Sequence, residues 1–239
     1  MKKHLKRLAI PKIWKIPRKI VKFAPKPRGP HPIDRSIPLL VLLRDVLKIV
    51  RNGEEAKRIL KRNEVLVDGR IVKDHKFGVG LFDVISIPKI NSNYRVTFSR
   101  DGRIALIKID SSENFKVCKI IGKKTISKNR IQLNFYDGRS IVLKPENAKE
   151  FKIGDSLLIS LPKQEIKQHL KFNEGSKVFI ISGKHIGVIA TIEKIIQTKK
   201  GTRVILRSDT GKVFETSKEK IFVIGSEKPL INLVGEYIE

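Results

Sequence analysis

Cysteine is almost absent from this chain of 239 residues. The single Cys118 excludes an intramolecular disulfide and any cysteine zinc cluster. Long apolar runs are missing as well, and no stretch approaches the ~18 residues of a membrane span. Before residue 37 no apolar run exceeds three residues without meeting a Lys, Arg or Pro, so no secretory signal is expected. Neither a basic amphipathic helix nor a lipidation signal points to a membrane surface. The chain reads as soluble and intracellular.

Catalytic signatures are also lacking. There is no GxSxG elbow, no Walker A sequence and no GxGxxG beside a helix. The five histidines (His4, His31, His75, His169, His185) show no HxxxH or HxH spacing for a metal. Gly122-Lys-Lys-Thr125 imitates the end of a phosphate-binding loop, but Val117 stands where its first glycine belongs. No enzyme activity, cofactor, metal or small-molecule substrate is expected.

Acidic residues are the last shortage. The chain has 51 Lys+Arg against 24 Asp+Glu, a net charge of +27 and a pI near 10.3. Such a balance calls for a polyanionic partner, nucleic acid before membrane. Residues 1–37 hold 12 of the cations against one acid, Asp34. Pro11, Pro17, Pro25, Pro27, Pro30 and Pro32 forbid a continuous helix there. With so much like charge the segment is expected to lack a core of its own and to order only on RNA. The partner surface would then receive Leu5, Leu8, Ile13, Trp14, Ile16 and Phe23. His4, Lys6, Arg7, Lys12, Trp14, Lys15, Arg18, Lys19, Lys22, Lys26 and Arg28 are the candidate RNA contacts of this arm.

Residues 38–88 form a first module. Leu39, Leu42, Leu43, Val46, Leu47 and Val50 recur at helical spacing and predict a helix over Pro38–Arg51, with Ser36 as its cap. A second short helix follows, capped by Asn52 with Glu55 completing a capping box, and with Ala56, Ile59 and Leu60 inward. Asp68-Gly69 then makes a tight hairpin and 80–87 a closing strand. Arg44, Lys48, Arg51, Lys57, Arg58, Lys61 and Arg62 crowd the polar side of the helices and are read as one RNA-facing patch.

From residue 89 onward strand follows strand. Tyr94–Phe98, Arg103–Ile109, Phe115–Ile121, Arg130–Phe135, Ser140–Leu143 and Ser156–Leu161 predict a small β-barrel or meander over 89–168. Its Asp-Gly-Arg triplets are read as turns, and Cys118 as a packed thiol. Over 171–225 an alternating strand enters Gly183-Lys184-His185-Ile-Gly187 and leaves as another. Glycines at 183 and 187 allow a sharp loop with close backbone approach. Lys177, Lys184 and His185 are the candidate contacts of this module, and 226–239 is read as a trailing segment.

Three resemblances follow from these residues. His4, Lys6, Arg7, Leu8, Ala9, Pro11, Trp14, Ile16 and Pro17 resemble the N-terminal signature of the archaeal and eukaryotic small-subunit ribosomal protein S-four-e family, in its archaeal form. The two helices with the Asp-Gly hairpin resemble the RNA-binding module of ribosomal protein S-four. The glycine-bounded loop is similar to the KOW motif of SH3-like barrels. Together they imply an α+β, β-dominated fold. They also imply a structural constituent of the small ribosomal subunit in the cytoplasm, bound to rRNA and neighbouring small-subunit proteins. The alternatives are an RNA-modifying or processing enzyme, and a transcription or translation factor carrying a KOW barrel.

Overall fold

The computed structural model describes residues 4–110, 113–199, 201–233 and 237–238. It is α+β and dominated by strands. Its contacts divide into two units, Met1–Asn114 with Val234–Glu239, and Phe115–Leu233.

The arm departs furthest from expectation. Strands β1 (Leu5–Lys6) and β2 (Phe23–Ala24) pair antiparallel and close residues 5–24 into a loop. Ile10, Trp14 and Ile16 are buried inside the first unit, Trp14 only 2% exposed. The indole Nε1 of Trp14 donates to the Ser36 carbonyl at 2.7 Å. Main-chain bonds continue the attachment: Ile104 N donates to Ile13 O at 2.9 Å and Gly78 N to Arg28 O at 2.6 Å. Charge counting predicts a coil because it asks whether the arm has its own core. The arm instead lends its few apolar side chains to the core beside it.

Leu39, Leu42, Leu43 and Val46 do build a helix, α1 (Leu39–Val41) running into a π turn over Leu42–Val46. It is shorter than 38–51. Lys48 takes a left-handed φ of 54°, so the chain turns before Val50, which is buried from the turn rather than from a helix. Ser36 is not the cap; its hydroxyl donates to Pro32 O at 2.8 Å. Helix α2 (Gly53–Lys61) is capped as read, Asn52 Oδ1 accepting Glu55 N, but Glu55 Oε2 accepts Arg51 N one residue before the cap rather than closing the capping box, each at 2.9 Å.

Strands β3 (Ile37–Pro38) and β6 (Gly78–Val79) pair with each other. A six-stranded antiparallel sheet carries the rest of the unit. It uses β4 (Leu66–Val67), β5 (Arg70–Ile71), β7 (Val84–Ile87), β8 (Ser92–Phe98), β9 (Ile104–Ile109) and the strand Tyr237–Ile238, in the order 237–238, β9, β8, β7, β4, β5. Asp68 and Gly69, at φ of 52° and 73°, make the expected two-residue turn. Two sequence boundaries fail here. The border at 88/89 falls between β7 and β8, which share a ladder from Val84↔Arg95 to Ile87↔Ser92. The trailing segment contributes an edge strand against β9.

In the second unit β10 (Phe115–Ser127) is the long shared strand. Its first half pairs with β13 (Ser156–Ser160); after an irregularity between Ile120 and Gly122 its second half pairs with β11 (Arg130–Phe135). With β12 (Ser140–Leu143) and β14 (Ile166–Leu170) the order is β12-β11-β10-β13-β14. Cys118 lies in the core with Ile120, Leu133, Phe135, Leu157 and Ile159, as read. The five strands β15 (Lys177–Ile180), β16 (Ile189–Thr198), β17 (Gly201–Ser208), β18 (Val213–Ser217) and β19 (Ile221–Gly225) form a second sheet, β18-β17-β16-β15-β19. Lys119 joins the two sheets: its buried ammonium donates to the carbonyls of Lys218 and Ile221 at 2.8 Å and of Glu219 at 3.2 Å. Residues 115–168 and 171–225 therefore share one unit.

The far end of the arm is held by chemistry that can be tested. His31 Nε2 lies 3.0 Å from Asp83 Oδ2, which also accepts Gly80 N at 2.8 Å. A methyl group on Gly80 would stand 2.4 Å from the buried His31 ring. Gly80→Ala should therefore destabilise the first unit by about 1–3 kcal/mol in urea denaturation. Wild-type stability would contradict the packing of His31 on this glycine.

Candidate nucleic-acid interface

Helix α2 is fastened by Ala56 and Leu60, which are fully buried. Helical geometry then turns Arg58 and Lys61 to solvent, and Arg62 follows at the C-cap, also exposed. Lys57 is half-buried and paired with Glu54 at 2.6 Å. Arg44 lies bidentate on Asp45 at 3.1 and 2.7 Å. Such partly exposed pairs are worth about 0–1 kcal/mol, so a phosphate can compete for either cation. Lys48 and Arg51 are exposed, but from the turn after α1 rather than from a helix face.

On the arm the structure sorts the candidates. His4, Lys6, Lys12, Lys15, Lys19, Lys22 and Arg28 are exposed, and Arg18 and Lys26 half-buried. Arg7 and Trp14 are corrections. Arg7 is 5% exposed and its Nε donates to Pro17 O at 2.5 Å, so it closes the arm loop. Trp14 is a core residue and presents no ring to a ligand.

The arm is tied to the loop that holds His75. Burial chiefly lowers the pKa of this imidazole from 6.5. Asp74, 3.7 Å away, opposes the shift, while the charges of Lys57, Lys76 and Arg28 add to it. The arm supplies Arg28, α2 supplies Lys57, and the loop before β6 supplies Lys76. Arg28 N donates to Lys76 O at 2.8 Å, which fixes the first to the third. Sequence reasoning overlooked Lys76 and His75. Their signal was the basic loop 73–76, too short to form a run.

In the second unit the loop between β15 and β16 holds Gly183 and Gly187 at φ of 101° and 79°. Lys184 is exposed at its tip. His185 is not a partnerless turn residue: it stacks on Phe214 with centroids 4.2 Å apart and planes 19° apart. Lys177 is half-buried and paired with Asp209 at 2.6 Å. Lys124, Lys128 and Arg130, exposed where β10 turns into β11, form a basic hairpin end that sequence reasoning passed over.

Residues 1–34 match the RS4NT domain, and residues 90–166 match ribosomal family S4e. The small ribosomal subunit protein eS4 of Methanocaldococcus jannaschii is 48% identical over 241 residues, covering 97% of this chain and 98% of that protein. The chain belongs to the ribosomal S4e family. A second S4e relative, the small ribosomal subunit protein eS4 of Methanococcus vannielii, is 43% identical across 97% of this chain and 98% of its own length. The crystal structure of the 30S ribosomal protein S4e from Thermoplasma acidophilum superposes with a TM-score of 0.68 at 36% identity, covering 81% of this chain and 96% of that one. S4e proteins are structural ribosomal proteins and not enzymes. Within the S4e signature of this chain, Arg7 and Trp14 serve the fold, while His4 and Lys6 face solvent.

The His75 environment has a pH consequence. Its depressed pKa means that the folded chain binds fewer protons there than the unfolded chain does. The stabilising contribution is complete above 6.5 and is lost as pH falls through the folded pKa. Replacing His75 by Gln should flatten the acid-side decline of Tm in a pH series. Parallel declines in wild type and variant would contradict this assignment.

Proposed function

We propose that this chain is a structural constituent of the small ribosomal subunit that binds folded rRNA and supports translation in the cytoplasm. The exposed cations of the arm and of α2 carry the reading, because main-chain bonds and buried apolar side chains hold both in fixed positions on the first unit. In this reading the two helices and the Asp68-Gly69 hairpin act as an S-four-type RNA-binding module, and 171–225 as a KOW-type SH3-like domain. Neighbouring small-subunit proteins are the remaining partners. Phosphate neutralisation supplies affinity, and fixed cation geometry supplies shape recognition of A-form RNA, whose base edges side chains cannot reach in the deep groove.

The test is a filter-binding salt series on a small-subunit rRNA fragment and an unrelated RNA. Changing the exposed Lys6, Lys12, Lys15, Lys19 and Lys22 to Gln should weaken both complexes. It should also flatten the slope of log K against log salt by about 0.7–0.9 per lost phosphate contact. Changing Lys57, Arg58, Lys61 and Arg62 to Glu should abolish the preference for the rRNA fragment. An unaltered slope in the first variant and full discrimination in the second would together refute the reading.

A further inference from the structure

The β1–β2 pair has two unlike faces. Cross-strand partners project to the same side, and alternate residues of a strand share it. Leu5 and its partner Ala24 point inward, Ala24 being buried. Lys6 and its partner Phe23 point outward, and the nearby Val21 is exposed as well. Phe23 is 49% exposed and Val21 51%. The His4 ring stands 5.6 Å from the Phe23 ring at 48°, and Lys22 Nζ lies 5.6 Å from its centroid. The pairing extends beyond the strands, because Arg7 N donates to Lys22 O at 3.0 Å.

We propose that this face is a stacking platform for an unpaired nucleobase of RNA, with Phe23 as the plate and Lys6 and Lys22 holding the flanking phosphates. The proposal rests on the rRNA-binding reading above and adds what that reading leaves open, a preference for unpaired nucleotides. Two observations and one general property of RNA support it. A phenyl ring half in water is held on a hydrogen-bonded strand pair, so it offers a flat surface at little cost in side-chain entropy. The arm's own charge up to this pair is of one sign, since Asp34 is the first acid in the chain. Bases within a closed helix cannot reach such a ring, whereas those of loops and bulges can stack on it. The cations and the exposed Leu8 and Ile20 would also suit an anionic lipid surface, and the experiment separates that case.

Full-length protein is titrated against an oligoadenylate strand of about 10 nucleotides, an RNA duplex of about 16 base pairs, and vesicles of phosphatidylglycerol with phosphatidylcholine. Phe23→Ala should weaken oligoadenylate binding about tenfold while leaving its salt slope and the duplex affinity unchanged. Phe23→Trp should restore the strand affinity. Equal strand binding by wild type and Phe23→Ala overturns the proposal. So does an equal loss on strand and duplex, which would make Phe23 a structural residue. Loss of vesicle binding alone overturns it in favour of a lipid surface. Wild-type binding to duplex preserves the rRNA reading even when the platform fails. Absence of binding to either RNA at low salt defeats both.

Discussion

The burial of Trp14 is the constraint on which the basic surface of the first unit depends. One indole, satisfied at Nε1 by the Ser36 carbonyl, holds a segment whose charge would otherwise expel it from the fold. Because the ring is buried, Ile10 and Ile16 reach the same core and residues 5–24 close as a loop. The exposed lysines of that loop then have fixed addresses rather than a wandering average. A binding surface ordered in advance loses less conformational freedom on association.

A chain this basic must also decide which cations face water. Several do not. Arg95 is buried against Glu113 at 2.6 Å; desolvation lowers its pKa, and the carboxylate opposes that loss. Lys116 is buried at 2.9 Å from Asp137, which also meets Arg139 at 3.1 Å. Lys119 is held by main-chain carbonyls and lies over Phe222 at 5.7 Å. Each of these charges needs its partner, since an unpaired buried ion would be severely destabilising. The buried cations therefore organise the fold, and only the exposed ones are available to a polyanion.

Much of this was legible in the residues. The Asn52 cap, the Asp68-Gly69 turn and the strands from 92 onward carry local signals that tertiary context did not override. The limits of α1 were not legible, because Leu47 and Val50 keep helical spacing while the chain turns at Lys48. Nor were the unit boundaries. The border at 88/89 reads as the end of a module, yet β7 and β8 on either side of it share a ladder, and ladder partners leave no trace in local sequence. In the candidate interface composition found the cations but not their fates. Arg7 turned inward and Arg28 came to Lys76, both through contacts distant along the chain.

Trp14 is the only tryptophan in the chain, so its fluorescence reports directly on the docked arm. In the free protein, without RNA, the account predicts blue-shifted emission that iodide does not quench and that shifts red only as the first unit unfolds in urea. Emission at the wavelength of solvated tryptophan, freely quenched in the folded protein, would contradict it and return the arm to a coil that orders only on RNA.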